Sequence, residues 1–260
     1  LDGEGDVAGP VQRQRRQIHG VAFLIDDEMA LSGCHWTRDA GGMSAPLSST
    51  PRTTLTRLRE RARTDRADLH AVLDAGLVCH LGFVRDGAPV VLPTGYGRIG
   101  DTLYLHASTG AGYVRGIAGA PVCVTVTHLD GIVYARSAFH HSMNYRCAVV
   151  HATARLVTDP DERTAAVRAI VEHLAPGSWD HSRRPTKREM AATAVLAVAL
   201  DEASVKVRAA GPSDDEEDLA ALDVWAGVLP VRTVFGPPQP CPTVPAAMPV
   251  PAHVAERAPA

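Results

Sequence analysis

None of the five cysteines, Cys34, Cys79, Cys123, Cys147 and Cys241, belongs to a Cys-x-x-Cys pair. That absence removes zinc ribbons, thioredoxin-type centres and c-type haem attachment. An excess of one charge is also missing: 26 Lys and Arg stand against 29 Asp and Glu, a formal net charge of −3. No overall positive field therefore draws the chain to nucleic acid or to an anionic membrane. Long apolar runs are absent too, since Ala191–Leu200 is about half of the roughly 20 residues that a membrane helix needs. No Gly-Lys-Ser/Thr follows a glycine-rich stretch and no dinucleotide fingerprint is present, which excludes the P-loop and the Rossmann motif. There is no internal repeat.

What is there is ordinary for a globular chain with a real core: 45% hydrophobic and 21% charged residues over 260 positions. Cys79, Cys123 and Cys147 lie inside apolar strand-like runs, where a free thiol acts as a small hydrophobe. Such usage fits a reducing, cytoplasmic compartment.

Residues 1–50 are expected to be an extension that is disordered or non-native. Their basic cluster, Arg13, Arg15 and Arg16, lacks the apolar stretch of a secretory signal, and Met43 opens a segment that reads as a natural start. Residues 51–236 hold the expected folded domain. Residues 237–260 are a Pro/Ala-rich tail, from Pro237 and Pro238 to Pro251, which favours extended chain.

Within the domain, Leu55–Arg63 and Ala67–Leu73 read as short helices, the second capped by Asp65 and closed by Gly76. Leu77–Val84 and Pro89–Tyr96 read as strands joined by an Asp86-Gly87 hairpin turn. Further strands are expected at Thr102–His106, Pro121–His128, Ile132–Ser137 after an Asp130-Gly131 turn, Tyr145–Val157, Val195–Leu200 and Val205–Arg208. Asp159-Pro160-Asp161-Glu162 starts a helix, and Thr186 with Glu189 forms a capping box for another. Short hairpin spacing with a late helix predicts an α+β barrel.

Two stretches can carry chemistry. His106-Ala107-Ser108-Thr109-Gly110-Ala111-Gly112, with Arg115 one turn into the following helix, offers free N–H groups, hydroxyls and a guanidinium to an anion. The plain alternative is that Ser108 or Thr109 merely caps that helix. Arg136–Arg146 packs polar donors into one connection; Ser142, Asn144 and Tyr145 can bond the edge of a heteroaromatic ring, with Phe139 and Met143 against its face. The alternative is a well-bonded turn. His140 and His141, adjacent on extended chain, point in opposite directions and cannot serve one metal as a pair, so no metal site is expected. Trp225 is either a core plug or a stacking surface.

Taken in order, these stretches carry a resemblance. Leu-Tyr-Leu-His106-Ala-Ser-Thr-Gly-Ala-Gly-Tyr-Val-Arg115, Arg136-Ser-Ala-Phe-His-His-Ser-Met-Asn-Tyr-Arg-Cys147, Lys187-Arg-Glu-Met-Ala-Ala-Thr193, Ser204-Val-Lys-Val-Arg208 and Asp223-Val-Trp-Ala-Gly-Val-Leu-Pro230 resemble the pyridoxamine 5'-phosphate oxidase-like proteins. The resemblance is to their flavin-nucleotide-binding branch, which includes the nitroimidazole-resistance proteins. It implies a six-stranded antiparallel FMN-binding split β-barrel with peripheral helices, working as a homodimer with FMN at the subunit interface. It further implies that His106, Ala107, Ser108, Thr109 and Arg115 hold the cofactor. Ser142, Asn144, Tyr145 and Trp225 would lie near its ring system, with His106 the candidate catalytic residue. Cys147 replaces the serine common in such relatives, and the substrate-phosphate arginines of true pyridoxamine-phosphate oxidases are missing. The implied function is flavin-dependent redox chemistry on a small organic molecule, nitroreductase-like or related. A haem-binding split barrel, with His80, His106, His140, His141 or His151 as axial ligands, and a non-catalytic flavin binder are the alternatives.

Overall fold

Side chains alternate in burial along Pro121–Tyr134: Val122, Val124 and Val126 are buried in one phase, and Val133 in the other after a register shift between Leu129 and Gly131. That period of two is the mark of a strand with one face on a core. A computed structural model describes residues 46–221 and 223–257, apart from the side chains of Arg115 and Ala221, within a unit spanning Met43–Ala260. Residues 1–45, and with them Cys34 and all but the last five residues of the expected extension, lie outside the described residues.

The elements in chain order are β1 (Ala62–Arg63), α1 (Arg66–Ala75), β2 (Cys79–Arg85), β3 (Ala88–Thr94), β4 (Tyr96–Ile99), β5 (Thr102–Ser108), α2 (Gly112–Ile117), β6 (Pro121–Tyr134) and β7 (Ser142–Thr153). There follow β8 (Arg155–Leu156), α3 (Pro160–Leu174), α4 (Ser178–His181), α5 (Lys187–Ala192), β9 (Thr193–Ala199), β10 (Glu202–Arg208), α6 (Glu216–Ala221), β11 (Gly227–Pro230) and α7 (Ala252–Ala255). One antiparallel sheet runs β1-β10-β7-β6-β2-β3, with β11 added on β6; the other runs β4-β5-β9-β8. This is the mixed α+β, antiparallel build expected of a split barrel. The six expected strands are drawn out as eleven segments in the two sheets.

The main core joins α1 to the inner faces of both sheets, through Leu69, Val72, Leu73, Leu81, Leu103, Val124, Val150 and Val198. A second cluster seats α3 on the other face of the smaller sheet, where Ala166 and Ile170 meet Tyr104, Val195 and Ala197. Strand β9 is thus covered on both faces, which is why Val195–Val198 is a continuous apolar run rather than an alternating one. Among the described residues no helix is long and apolar enough to cross a membrane.

Several local expectations hold for the reasons given. Asp86 and Gly87 take φ of 52° and 77°, the left-handed pair of a tight hairpin turn. Asp159 accepts a hydrogen bond from the Glu162 N–H, and Thr186 with Glu189 closes a reciprocal capping box.

Two expectations fail. Leu55–Arg63 is not a helix; only Arg59–Arg61 makes a single 3₁₀ turn, entered through Leu58 at φ 53°. A left-handed residue inside the segment interrupts the helix at Leu58, while upstream Thr53 donates to the Ser48 carbonyl and Thr54 to that of Thr50. Asp130-Gly131 is not a turn either. Strand β6 continues through it with a register shift between Leu129 and Gly131, and the Asp130 carboxylate accepts two bonds from Arg146 on β7. A bulge fits the same two residue types as a turn does. The Pro-rich tail, for its part, folds back: Arg257 donates to the Leu174 carbonyl and lies 4.1 Å over the Phe235 ring.

The carbonyl end of α1 would be buried and unpaired without help from distant elements. The buried Tyr96 hydroxyl on β4 donates to the carbonyl oxygens of Leu73 (2.5 Å) and Gly76 (3.0 Å). His173 of α3 bonds the Gly76 carbonyl through Nε2 at 2.5 Å, and His128 of β6 bonds that of Val72 at 2.9 Å. A Cβ on Gly76 would come within 2.6 Å of Val126 and 2.7 Å of the Tyr96 hydroxyl, so only glycine fits beneath them. Tyr96→Phe keeps the ring and removes one bond from each of two carbonyls, which retain the Gly76 N–H and His173 as partners, and should cost about 0.5–1.5 kcal/mol in urea unfolding with the fold retained.

Candidate functional site

Strand β5 ends at Ser108, and the chain then needs a tight reversal before α2. The Ser108 carbonyl accepts from the Ala111 N–H (2.9 Å), while its hydroxyl accepts from the Gly110 N–H (3.2 Å). Thr109 is exposed, and its N–H donates to the Ala192 carbonyl (2.9 Å) at the end of α5. The residue flanking α2 is Ala111, with no side-chain cap, so neither Ser108 nor Thr109 is the N-cap considered from sequence. A Cβ on Gly112 would meet nothing within 4 Å, which leaves the helix start open on that side. His106, two residues back, is exposed on β5 opposite Val195, and Ala107 lies half-buried opposite Ala194. The backbone of Arg115 lies in α2, and its side chain is outside the described residues.

The other stretch is built differently. Arg136 donates its backbone N–H (2.7 Å) and a guanidinium N–H (2.8 Å) to Asp214, whose side chain is only 2% exposed. The buried Asn144 spends its carbonyl oxygen on the Arg208 guanidinium (2.5 Å) and the Ala210 N–H (3.1 Å). Arg208 also donates to the carbonyls of Ala210 and Gly211, so a buried cation is held by neutral oxygens and burial lowers its pKa. Asn144 is therefore an anchor for the chain beyond β10 as well as a member of the expected ring-binding set. Ser142 and Tyr145 are half-buried on β7, opposite Val133 and Leu129 of β6.

Trp225 is 69% exposed and does not plug the core. Its ring lies 5.9 Å from Tyr134, which in turn lies 5.7 Å from His141. These three rings make an exposed aromatic surface beside Ser142, and Phe139, 89% exposed, lies two residues before His141 in the chain. Tyr134 and Asp214 had no motif to flag them as parts of this region, and Arg208 stood in a motif of the resemblance with no role given to it. The strand pairing β11 on β6, which brings Trp225 to Tyr134, joins segments almost a hundred residues apart.

The two halves lie toward opposite ends of β6. Tyr113 of α2 stacks on Phe83 (5.6 Å), next to Gly82, which pairs with Cys123 at the start of β6. Ser142 pairs with Val133 at the far end of the same strand. At about 3.3 Å per residue, roughly 30 Å of extended chain separates those levels.

The thiols near neither half are activated. Burial pushes Cys79 up to about 12 and also raises Cys123 and Cys147.

For Asp214, burial alone would raise the carboxyl pKa, but the N–H and guanidinium of Arg136 outweigh it and hold the group below its usual value. A lowered folded pKa contributes stability above the unfolded value and loses it as pH falls through the folded one. The midpoint of urea unfolding should therefore drop on acidification below about pH 4. Asp214→Asn should be less stable at neutral pH and show a visibly flatter acid limb.

The family model for pyridoxamine 5'-phosphate oxidase matches residues 65–207. No curated protein matches the chain. Among solved structures, the flavocytochrome Anf3 from Azotobacter vinelandii is 36% identical, over 82% of this chain and 99% of its own, with a TM-score of 0.77. The FAD and heme binding protein from Mycobacterium smegmatis is 40% identical, over 76% of this chain and 97% of its own, with a TM-score of 0.73. With most of the folded unit matched in both sequence and strand arrangement, the chain belongs to the pyridoxamine 5'-phosphate oxidase family of split barrels.

Proposed function

We propose that this protein is a homodimeric flavin-nucleotide oxidoreductase whose cofactor lies between one copy's His106–Gly112 loop and the other copy's Ser142–Trp225 surface. The observation that carries the reading is the separation of the two halves along β6, too long for one FMN to bridge within a chain. Each half is also incomplete by itself: an uncapped helix start on one side, bare aromatic rings on the other.

The residues fit the group. Backbone N–H groups at the start of α2, beside Gly110 and Gly112, suit a phosphate, with Ser108 and Thr109 next to them. Trp225, Tyr134 and Met143 offer apolar cover to a heteroaromatic face, and Ser142 and Tyr145 offer hydroxyls to its edge. Bound flavin supplies hydride or electron transfer to a small organic substrate. His106, exposed near the end of β5, can hold or give up the substrate proton through its imidazole.

Haem is the second reading, favoured by the two solved structures reported above, one a flavocytochrome and the other an FAD and heme binding protein. On that reading the flavin is FAD or FMN and a haem sits beside it in the same dimer.

The absorption spectrum of the purified protein separates these outcomes: a two-band flavin profile, an added Soret band, or no chromophore even after FMN and FAD titration, which would defeat the proposal. Trp225→Ala should weaken flavin binding about tenfold, the scale of one stacking pair. Mixing Trp225→Ala with Gly112→Asp subunits should restore a tight site in the heterodimer. No rescue, or a monomer in light scattering, would refute the shared site. His106→Ala should keep flavin and lose turnover at least about a hundredfold; unchanged turnover would remove His106 from the chemistry.

A further inference from the structure

We infer that His140, Asp215 and Asp218 form a binding site for one divalent transition-metal cation of the zinc class. One nitrogen of His140 and one carboxylate oxygen from each aspartate all lie within 4.8 Å of one another. The His140 Nε2 to Asp215 Oδ2 separation is 3.1 Å. Two ligands bound at about 2.1 Å to a common centre stand about 3.0–3.4 Å apart, so this pair already has ligand spacing.

The convergence follows from two local structures. Asp215 and Asp218 are three residues apart at the start of α6, where the Asp218 and Leu219 N–H groups donate to the Asp215 carbonyl (both 3.1 Å). That spacing sets both carboxylates on one side of the turn. His140 arrives from a separate 3₁₀ turn, Ala138–His140, held by its N–H bond to the Ser137 carbonyl (3.1 Å). Asp214 is not part of the set, because Arg136 takes both of its oxygens and so pins the acidic segment beside the histidine turn.

An ion pair between His140 and Asp215 would account for one carboxylate only. Asp218 is half-buried, and its carboxylate has no hydrogen-bond or ion-pair partner among the described residues, yet it faces the same imidazole. A cation bound by both aspartates gives it one and relieves the repulsion within the run Asp214–Asp218. The mixed imidazole and carboxylate donors suit zinc, manganese or ferrous iron better than calcium or magnesium, which prefer all-oxygen shells. Three protein ligands leave a position for water. The site ties a six-residue helix, too short to persist by itself, to the turn that precedes β7. It does not rest on the flavin reading.

The test uses the full chain stripped with a chelator and titrated with zinc chloride by calorimetry. One equivalent should bind and slow hydrogen exchange across 214–221. His140→Gln and Asp218→Asn should each weaken that equivalent at least about tenfold while unfolding midpoint and flavin content stay unchanged. Asp218→Asn leaves the His140–Asp215 pair intact, so its effect separates metal ligation from an ion pair. Zinc binding that is equal in wild type and Asp218→Asn, or absent in the micromolar range, would overturn the site.

Discussion

The carbonyl end of α1 is where the two sheets are joined in hydrogen-bond terms. A helix that stops inside a core leaves acceptors that water cannot reach, and each costs more unpaired than a paired bond returns. Here the donors come from β4 of one sheet, β6 of the other and α3 beyond them: Tyr96, His128 and His173. Those bonds fix α1 in the angle between the sheets, and α1 in turn carries Leu69, Val72 and Leu73 into the main core. Displacing the helix would misplace β6, whose two ends hold the two halves of the candidate site.

That arrangement gives the site its character. Strand β6 is long because it must serve the main sheet at one end and receive β11 at the other. Its length keeps the open helix start of α2 away from the aromatic surface around Trp225. Burial then divides the polar residues by role. Asn144, Arg208, Arg136 and Asp214 spend their bonding on each other and on backbone, holding the segment after β10 against β7. Ser108, Thr109, Ser142 and Tyr145 remain nearer the surface, where a ligand can reach them.

Local chemistry was legible wherever the deciding atoms are neighbours in sequence. The Asp159 cap, the Thr186–Glu189 box and the Asp86-Gly87 hairpin each form within four residues, and each is present. Where two local solutions compete, residue type was not enough. Leu58 entered the left-handed region and interrupted the expected helix, and Asp130-Gly131 became a bulge once Arg146 across the strand took the carboxylate. The grouping of His140 with Asp215 and Asp218 was hidden for the same reason: His140 and His141 were weighed against each other, while the partners of His140 lie about 75 residues on.

By itself the sequence determined the class of fold, the apolar strands of the core and the ordered motifs that mark the pyridoxamine 5'-phosphate oxidase family, because periodicity and capping act over a few residues. Tertiary structure alone decided the rest. It placed the His106 loop and Trp225 at opposite ends of one strand, turned Asn144 towards Arg208, and brought Asp215 and Asp218 to His140. Each of these depends on which strands pair and in what register, and register is set by the sum of many buried contacts rather than by any residue in the motif.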